Sequence, residues 1–150
     1  MGLRGVFSWA TLLILLGGRG GFGQNLQTFS HLSVSDGLSQ STIFAIHQDS
    51  KGFMWFGTRG GGLNKYNGYE FQVYRNIPEV PGTLSDNIVI SILEDRQGKL
   101  WVGTTNGGVN RFDLNTGKFR TFDLEVPSEV YRDASLAVRC IYEDRSGRIW

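Results

Sequence analysis

The sequence Asp49-Ser-Lys-Gly-Phe-Met-Trp-Phe-Gly-Thr-Arg-Gly-Gly-Gly-Leu-Asn64 returns in altered form as Asp95-Arg-Gln-Gly-Lys-Leu-Trp-Val-Gly-Thr-Thr-Asn-Gly-Gly-Val-Asn110. Eight of the sixteen positions are identical, and a third copy begins at Asp144-Arg-Ser-Gly-Arg-Ile-Trp150. The repeated tryptophan is therefore spaced by 46 and then 49 residues. Repetition with such a period indicates supersecondary units that bury their apolar faces against one another.

Each unit is predicted to form four short strands joined by glycine-containing turns. The predicted strands are 42–47, 53–56, 62–66 and 70–74 in the first unit, 88–93, 99–102, 108–112 and 118–122 in the second, and 137–142 in the third. Two segments with proline and acidic residues, Asn76–Gly82 and Asp123–Asp133, are predicted to be loops between units.

The first and fourth strands of a unit differ in their hydrophobic pattern. Ile43–Ile46 and Ile88–Ile90 are continuous apolar runs, which predicts strands covered on both faces, whereas 70–74 and 118–122 follow the alternation of a half-exposed edge. A β-propeller blade combines such an inner strand with such an outer strand. We therefore predict an all-β fold of antiparallel four-stranded blades, at 38–83, 84–132 and 133–150. This propeller, spanning 24–150, would be incomplete at about two and a third blades, since closed rings have ~4–8.

The N-terminus is predicted to be a signal peptide over residues 1–23. Arg4 precedes the apolar run Val6–Leu16, and Gly21-Phe-Gly23 fits a small-x-small cleavage pattern. An eleven-residue helix is too short to span a bilayer, so a permanent membrane span is the weaker alternative. The rest of the chain has 13 basic and 14 acidic residues with no basic stripe, which argues against nucleic-acid binding.

The repeated residues are interpreted as structural. The repeated aspartate should cap a turn whose glycine adopts positive φ, and calcium binding is the alternative. The repeated tryptophan should fill space between blades, and stacking on a sugar is the alternative. We find no catalytic set, metal-ligand set or cofactor motif. Ligand sites are expected where the repeats differ, so Arg59 and Asn106, in the loop after the second strand, are the candidate ligand-binding residues.

The pattern at 49–66 and 95–112, and half of it at 144–150, resembles the two-component regulator propeller repeat. The pattern is Asp-x-x-Gly-x-hydrophobic-Trp-hydrophobic-Gly-Thr-x-x-Gly-Gly-hydrophobic-Asn, followed by a basic and an aromatic residue. The resemblance implies the periplasmic sensor region of a hybrid two-component histidine kinase of Bacteroidetes type. In such proteins an exported propeller, often glycan-responsive, precedes a membrane anchor and kinase modules and usually works as a homodimer.

The implied partners are therefore an oligosaccharide, the remaining blades, and the membrane and kinase modules. The chain itself is expected to be a fragment that binds ligand and catalyses no reaction. Two alternatives stay open: an exported propeller enzyme acting on polysaccharide, sialidase-like or a lyase, and a surface adhesion propeller.

Overall fold

A computed structural model describes residues 29–122 and 137–150. The predicted signal peptide and the predicted loop at 123–133 lie outside the described residues. Residues 1–30 and 31–150 form separate units, and all the strands belong to the second. In the described part of the chain, no helix has the length and hydropathy needed to cross a lipid bilayer.

The described strands form two antiparallel sheets of four strands each, in sequence order. The first blade consists of β1 (Ile43–Gln48), β2 (Met54–Thr58), β3 (Leu63–Tyr66) and β4 (Phe71–Tyr74), and the second of β5 (Val89–Glu94), β6 (Leu100–Thr104), β7 (Val109–Asp113) and β8 (Lys118–Phe122). Trp55 and Trp101 occupy the same place on β2 and β6. The predicted all-β blades are thereby confirmed.

One repeated asparagine hydrogen-bonds each blade to the segment that precedes its first strand. Asn64 accepts a hydrogen bond from the backbone N–H of Ser39 at 2.9 Å and donates one to its hydroxyl at 2.8 Å. Asn110 makes the same pair of bonds with Ser85, at 3.1 and 2.6 Å. Both asparagines are fully buried, so these bonds satisfy amides that would otherwise be costly to bury. A 3-10 helix at Val34–Asp36 precedes the first of these segments.

The core of the unit lies between the two blades. Trp55 is fully buried, and its ring lies 6.0 Å from that of Tyr74 in the same blade and 5.5 Å from that of Phe112 in the second blade. Phe119 continues the cluster, with its ring 4.7 Å from Phe112 and 5.8 Å from Tyr74. The prediction that the repeated tryptophan fills space between blades is confirmed for Trp55.

The inner strand of the first blade is less covered than predicted. Phe44 and Ile46 of β1 are 48% and 62% exposed, whereas β5 has no exposed residue. The prediction of two covered faces is therefore wrong for β1 and right for β5. The reason is position: β5 lies against β1 and β2 of the first blade, while the described residues place no blade against the other face of β1.

The third predicted inner strand, 137–142, is also not formed. Within 137–150 the only β pairing is a bridge between Glu143 and Ile149, flanked by reciprocal backbone hydrogen bonds between Tyr142 and Trp150. By the register of the second blade, the residues that would pair with 137–141 come after position 150. Ladder hydrogen bonds define a strand, and residues 137–142 do not form such a ladder.

The repeated aspartate caps its turn, as predicted, and also holds the tryptophan. Asp49 Oδ1 accepts from the backbone N–H groups of Lys51 and Phe53 at 3.0 and 2.9 Å, and Oδ2 accepts from the indole N–H of Trp55 at 2.8 Å. Asp95 and Asp144 repeat all three bonds. The glycine three residues after each aspartate has φ between 72° and 88°. One carboxylate thus fixes both the turn and the orientation of the indole ring.

Hydrogen bonds to a glutamate also repeat between neighbouring units. The backbone N–H and hydroxyl of Ser50 donate to the carboxylate of Glu94 in the next blade at 2.6 and 2.7 Å. The backbone N–H of Arg96 donates to the equivalent Glu143 at 2.9 Å. The glutamates that precede the second and third aspartate turns therefore link each of these turns to the turn of the preceding unit.

Hydrogen bonds from Ser146, Trp150 and Arg148 hold the pKa of Asp144 far below its ordinary value of 3.8. A lowered folded-state pKa stabilises the folded state above the unfolded pKa and loses that contribution as pH falls toward the folded pKa. We expect the carboxyl group of Asp144 to stay ionised well below pH 3.8. An NMR titration that follows its side-chain carbonyl resonance measures this. Ser146→Ala removes the largest cause and should move the midpoint upward. An ordinary midpoint in the parent protein, or no movement in the variant, would contradict this.

Candidate functional site

A cleft of about 430 Å³ opens beside the inner strands of the two blades. It is lined by Phe44, Arg59, Ile88, Ile90, Thr105, Ala137 and Arg139. These residues come from both blades and from the segment that begins the third unit. A ligand in the cleft would therefore contact all three units at once.

Two of the apolar side chains reach the cleft because each inner strand carries a β-bulge. The register of β1 against β2 shifts between Ile43 and Ala45, so Phe44 is the extra residue. The register of β5 against β6 shifts between Val89 and Ser91, so Ile90 is the extra residue. A bulge re-aims the side chain that it carries. Both extra residues line the cleft.

The loops after β2 and β6 bring the polar residues to the same place. The backbone N–H of Arg59 donates to the carbonyl of Thr42 at 3.0 Å, and Arg59 forms a β-bridge with Ile88 of the second blade. The backbone N–H of Thr105, which is the counterpart of Arg59, donates to the carbonyl of Ile88 at 3.0 Å. The backbone is thus fixed at both positions, and the side chain alone varies between the repeats.

The two candidate residues from the sequence have different positions. Arg59 lines the cleft. Asn106 is exposed and does not line it, and its backbone N–H donates to the carboxylate of Asp86 at 2.9 Å. Its neighbour Thr105 lines the cleft instead. The structure therefore does not bring Arg59 and Asn106 together on this surface.

Sequence reasoning missed Phe44, Ile90 and Arg139. A faint signal was present, since Arg139 aligns with Ile90 and Phe44 and is a charged residue in an otherwise apolar position. The sequence does not show the bulge, which directs the side chains of Phe44 and Ile90 away from the blade core and into the cleft. The alignment alone marks Arg139 as an interruption of a strand.

The family model described as two component regulator propeller matches residues 37–60 and 83–106. These two segments of the chain are therefore similar to two-component regulator propeller repeats. The matched segments run from just before the inner strand to the loop after the second strand, so they include Phe44, Arg59, Ile88, Ile90 and Thr105 of the cleft.

Proteins with similar sequences and structures include a histidine kinase and an extracellular domain. The chain is 51% identical over 51 residues to histidine kinase P4 of Formosa agariphila, a match that covers 34% of the chain. It is also similar to two crystal structures of an extracellular domain from B. thetaiotaomicron. The protein is named a hybrid two component system in one case, with 29% identity over 73% of the chain and a TM-score of 0.59. In the other it is named a one component system, with 26% identity over 81% and a TM-score of 0.61.

These propeller repeats are a small part of the proteins that they resemble. The chain spans 4% of the length of the histidine kinase and 15% and 17% of the two solved chains.

Proposed function

We propose that this chain is part of the periplasmic ligand-sensing propeller of a hybrid two-component sensor histidine kinase, and that the ligand is a glycan fragment. In this proposal the chain binds and catalyses no reaction. The full-length protein is anchored in the inner membrane, carries its kinase modules beyond the membrane, and works as a homodimer.

The observation that carries the proposal is the likeness of these two blades to the extracellular domain of a two-component system, at 29% identity and a TM-score of 0.59. The 51-residue match to a histidine kinase supports the same reading. An extracellular domain attached to a kinase suits a receptor for a molecule outside the cytoplasm.

The cleft is the proposed place of ligand capture. Its walls combine an aromatic ring, aliphatic side chains, a hydroxyl and two guanidinium groups, a mixture that suits the apolar faces and hydroxyl groups of a sugar. Because three units contribute residues, a ligand would favour those blade arrangements that bring all its contacts together. Binding would then shift the population of conformations that the propeller presents to the rest of the receptor.

Filling the cleft should abolish sensing without unfolding the blades. Ile90→Trp places a large ring in the cleft from the β5 bulge, and we expect at least about a tenfold loss of affinity for an oligosaccharide ligand, roughly 1.4 kcal/mol. The measurement is isothermal titration of the full chain with a panel of neutral and acidic tetrasaccharides. Ligand-induced phosphorylation of the intact receptor gives a second readout.

Tyr69→Trp is the matched control, because Tyr69 is 94% exposed at the turn between β3 and β4. It should bind and signal like the parent protein, and both variants should keep the parental circular dichroism spectrum. Undiminished binding by Ile90→Trp would exclude the cleft as the ligand site. Absence of binding to every tetrasaccharide in the panel would count against a glycan sensor.

A further inference from the structure

The charged residues that line the cleft are all of one sign. Two of its seven lining residues are arginines, Arg59 and Arg139, and none is acidic. Within residues 29–122 and 137–150, neither guanidinium group has a hydrogen bond or an ion pair with another side chain. The described part of the cleft is therefore positively charged and lacks its own counter-ions.

Two arginines of the aspartate turns, in contrast, do have partners. The Arg96 guanidinium donates to the carbonyl oxygens of Asp144 and Arg145 at 2.9 and 3.0 Å and lies 3.9 Å from Glu143. The guanidinium of Arg148 lies 3.8 Å from Asp144 and 3.1 Å from the hydroxyl of Ser146. Arg96 joins two neighbouring turns and Arg148 bonds within its own turn, whereas the Arg59 and Arg139 guanidinium groups make no such contacts in the described residues.

The repeat itself does not require arginine at either position. Thr105 stands where the first unit has Arg59, and Phe44 and Ile90 stand where the third unit has Arg139. The residues that hold the blades together, in contrast, repeat with their contacts, as the aspartate turns and buried asparagines do. Two different departures from the repeat thus place the same functional group in one cleft.

Asp86 is the acidic residue nearest in sequence to the residues that line the cleft, and backbone N–H groups occupy both of its carboxylate oxygens. One carboxylate oxygen of Asp86 accepts from the backbone N–H of Ile88 at 3.2 Å, and the other accepts from that of Asn106 at 2.9 Å. Asp86 therefore caps the two loops and does not line the cleft. It leaves the guanidinium groups available to a ligand.

We propose that the cleft selects an acidic ligand, a saccharide bearing carboxylate or sulfate groups, through Arg59 and Arg139. A guanidinium offers paired N–H donors that match a carboxylate or sulfate with two parallel hydrogen bonds. The apolar side chains of Phe44, Ile88 and Ile90 exclude water from one side of the cleft and so strengthen each charged contact. This inference rests on the proposed function and narrows its ligand class.

The test is isothermal titration of the full chain with three probes of equal length. Tetragalacturonate carries carboxylates only, a κ-carrageenan tetrasaccharide carries sulfates only, and β-1,4-galactotetraose is neutral. We expect one acidic probe to bind at least tenfold more tightly than the neutral probe, and this affinity to fall with rising NaCl concentration. The acidic probe that binds identifies the anionic group.

Arg59→Gln and Arg139→Gln should each lower affinity for that probe about tenfold and leave the neutral probe unaffected. Arg120→Gln removes the same charge from an exposed position on the outer strand β8 and should change neither affinity. All three positions are exposed, so melting temperatures should match that of the parent protein.

If the neutral probe binds as tightly and the two arginine variants bind normally, the acidic selectivity is wrong. The proposed sensor site survives in that case, provided that Ile90→Trp still prevents binding. Failure of both acidic probes to bind also overturns the inference, and the neutral tetrasaccharides then decide the proposed function separately.

Discussion

Trp55→Ala is expected to lower the free energy of unfolding by about 3–5 kcal/mol, the range for removing a large buried aromatic side chain. Trp55 is fully buried, stacks on Tyr74 and meets the ring of Phe112 edge-on across the blade interface. The variant leaves a cavity between the blades and deprives Asp49 of its bond to the indole N–H. Both losses fall on the surface that joins the two sheets.

Chemical denaturation of the full chain, followed by circular dichroism, measures this effect. Trp150→Ala is the control, because Trp150 makes the same bond to its own aspartate at 2.9 Å but is 68% exposed. That substitution should cost no more than about 1 kcal/mol. Trp55→Phe keeps an aromatic ring, so it should be measurable even if the alanine variant does not fold. Equal effects at Trp55 and Trp150 would show that burial between blades is not the main contribution.

The repeat predicted most of this architecture because its signals are local. A turn needs an aspartate and a glycine at fixed spacing, and a strand needs short-range periodicity, so every described strand of the first two units overlaps a predicted one. The indole–aspartate bond was not predicted, although both residues lie in the motif. Their spacing of six residues has meaning only after the turn brings β2 back beside the end of β1.

Features that depend on neighbouring units were harder to predict from the sequence. The link from Glu94 to Ser50 joins residues 44 positions apart, and the first unit has Gln48 at the corresponding position. Exposure of Phe44 and Ile46 likewise depends on which blade covers β1, which strand patterning cannot show. Predicting the cleft would have required the positions of two bulges, of two loops and of the start of the third unit, since its lining residues come from all of them. Arg59 was predicted because loops vary between repeats, and Asn106, predicted on the same ground, lies outside the cleft.

The second large effect is expected at Gly57, where the backbone of the first blade lies against Val89 of the second blade. A Cβ at Gly57 would lie 2.7 Å from Cγ1 of Val89 and 2.8 Å from the carbonyl oxygen of the same residue. Val89 is fully buried on the inner strand of the second blade, so it cannot move aside without shifting β5. Gly57→Ala should therefore lower the free energy of unfolding by about 3 kcal/mol, the upper part of the range for overpacking.

Gly68→Ala is the matched control for replacing a glycine in this chain. Gly68 has φ 98° at the turn between β3 and β4, and a Cβ there would meet no atom within 4 Å. Its cost should be backbone strain alone, about 1–2 kcal/mol. A smaller loss for Gly57→Ala than for Gly68→Ala would contradict the close approach of the blades.

A double-mutant cycle separates the clash from the loss of glycine itself. Val89→Ala removes Cγ1, the nearest of the atoms that a Cβ at Gly57 would meet, and by itself costs the burial of the lost methyl groups. Since the two substitutions relieve each other, the double variant should be at least about 0.5 kcal/mol more stable than the sum of the single effects predicts. The relief should be partial, because the carbonyl oxygen of Val89 remains 2.8 Å from the new Cβ. Strict additivity would mean that the side chain of Val89 does not press on Gly57, and that the blades are held apart by other contacts.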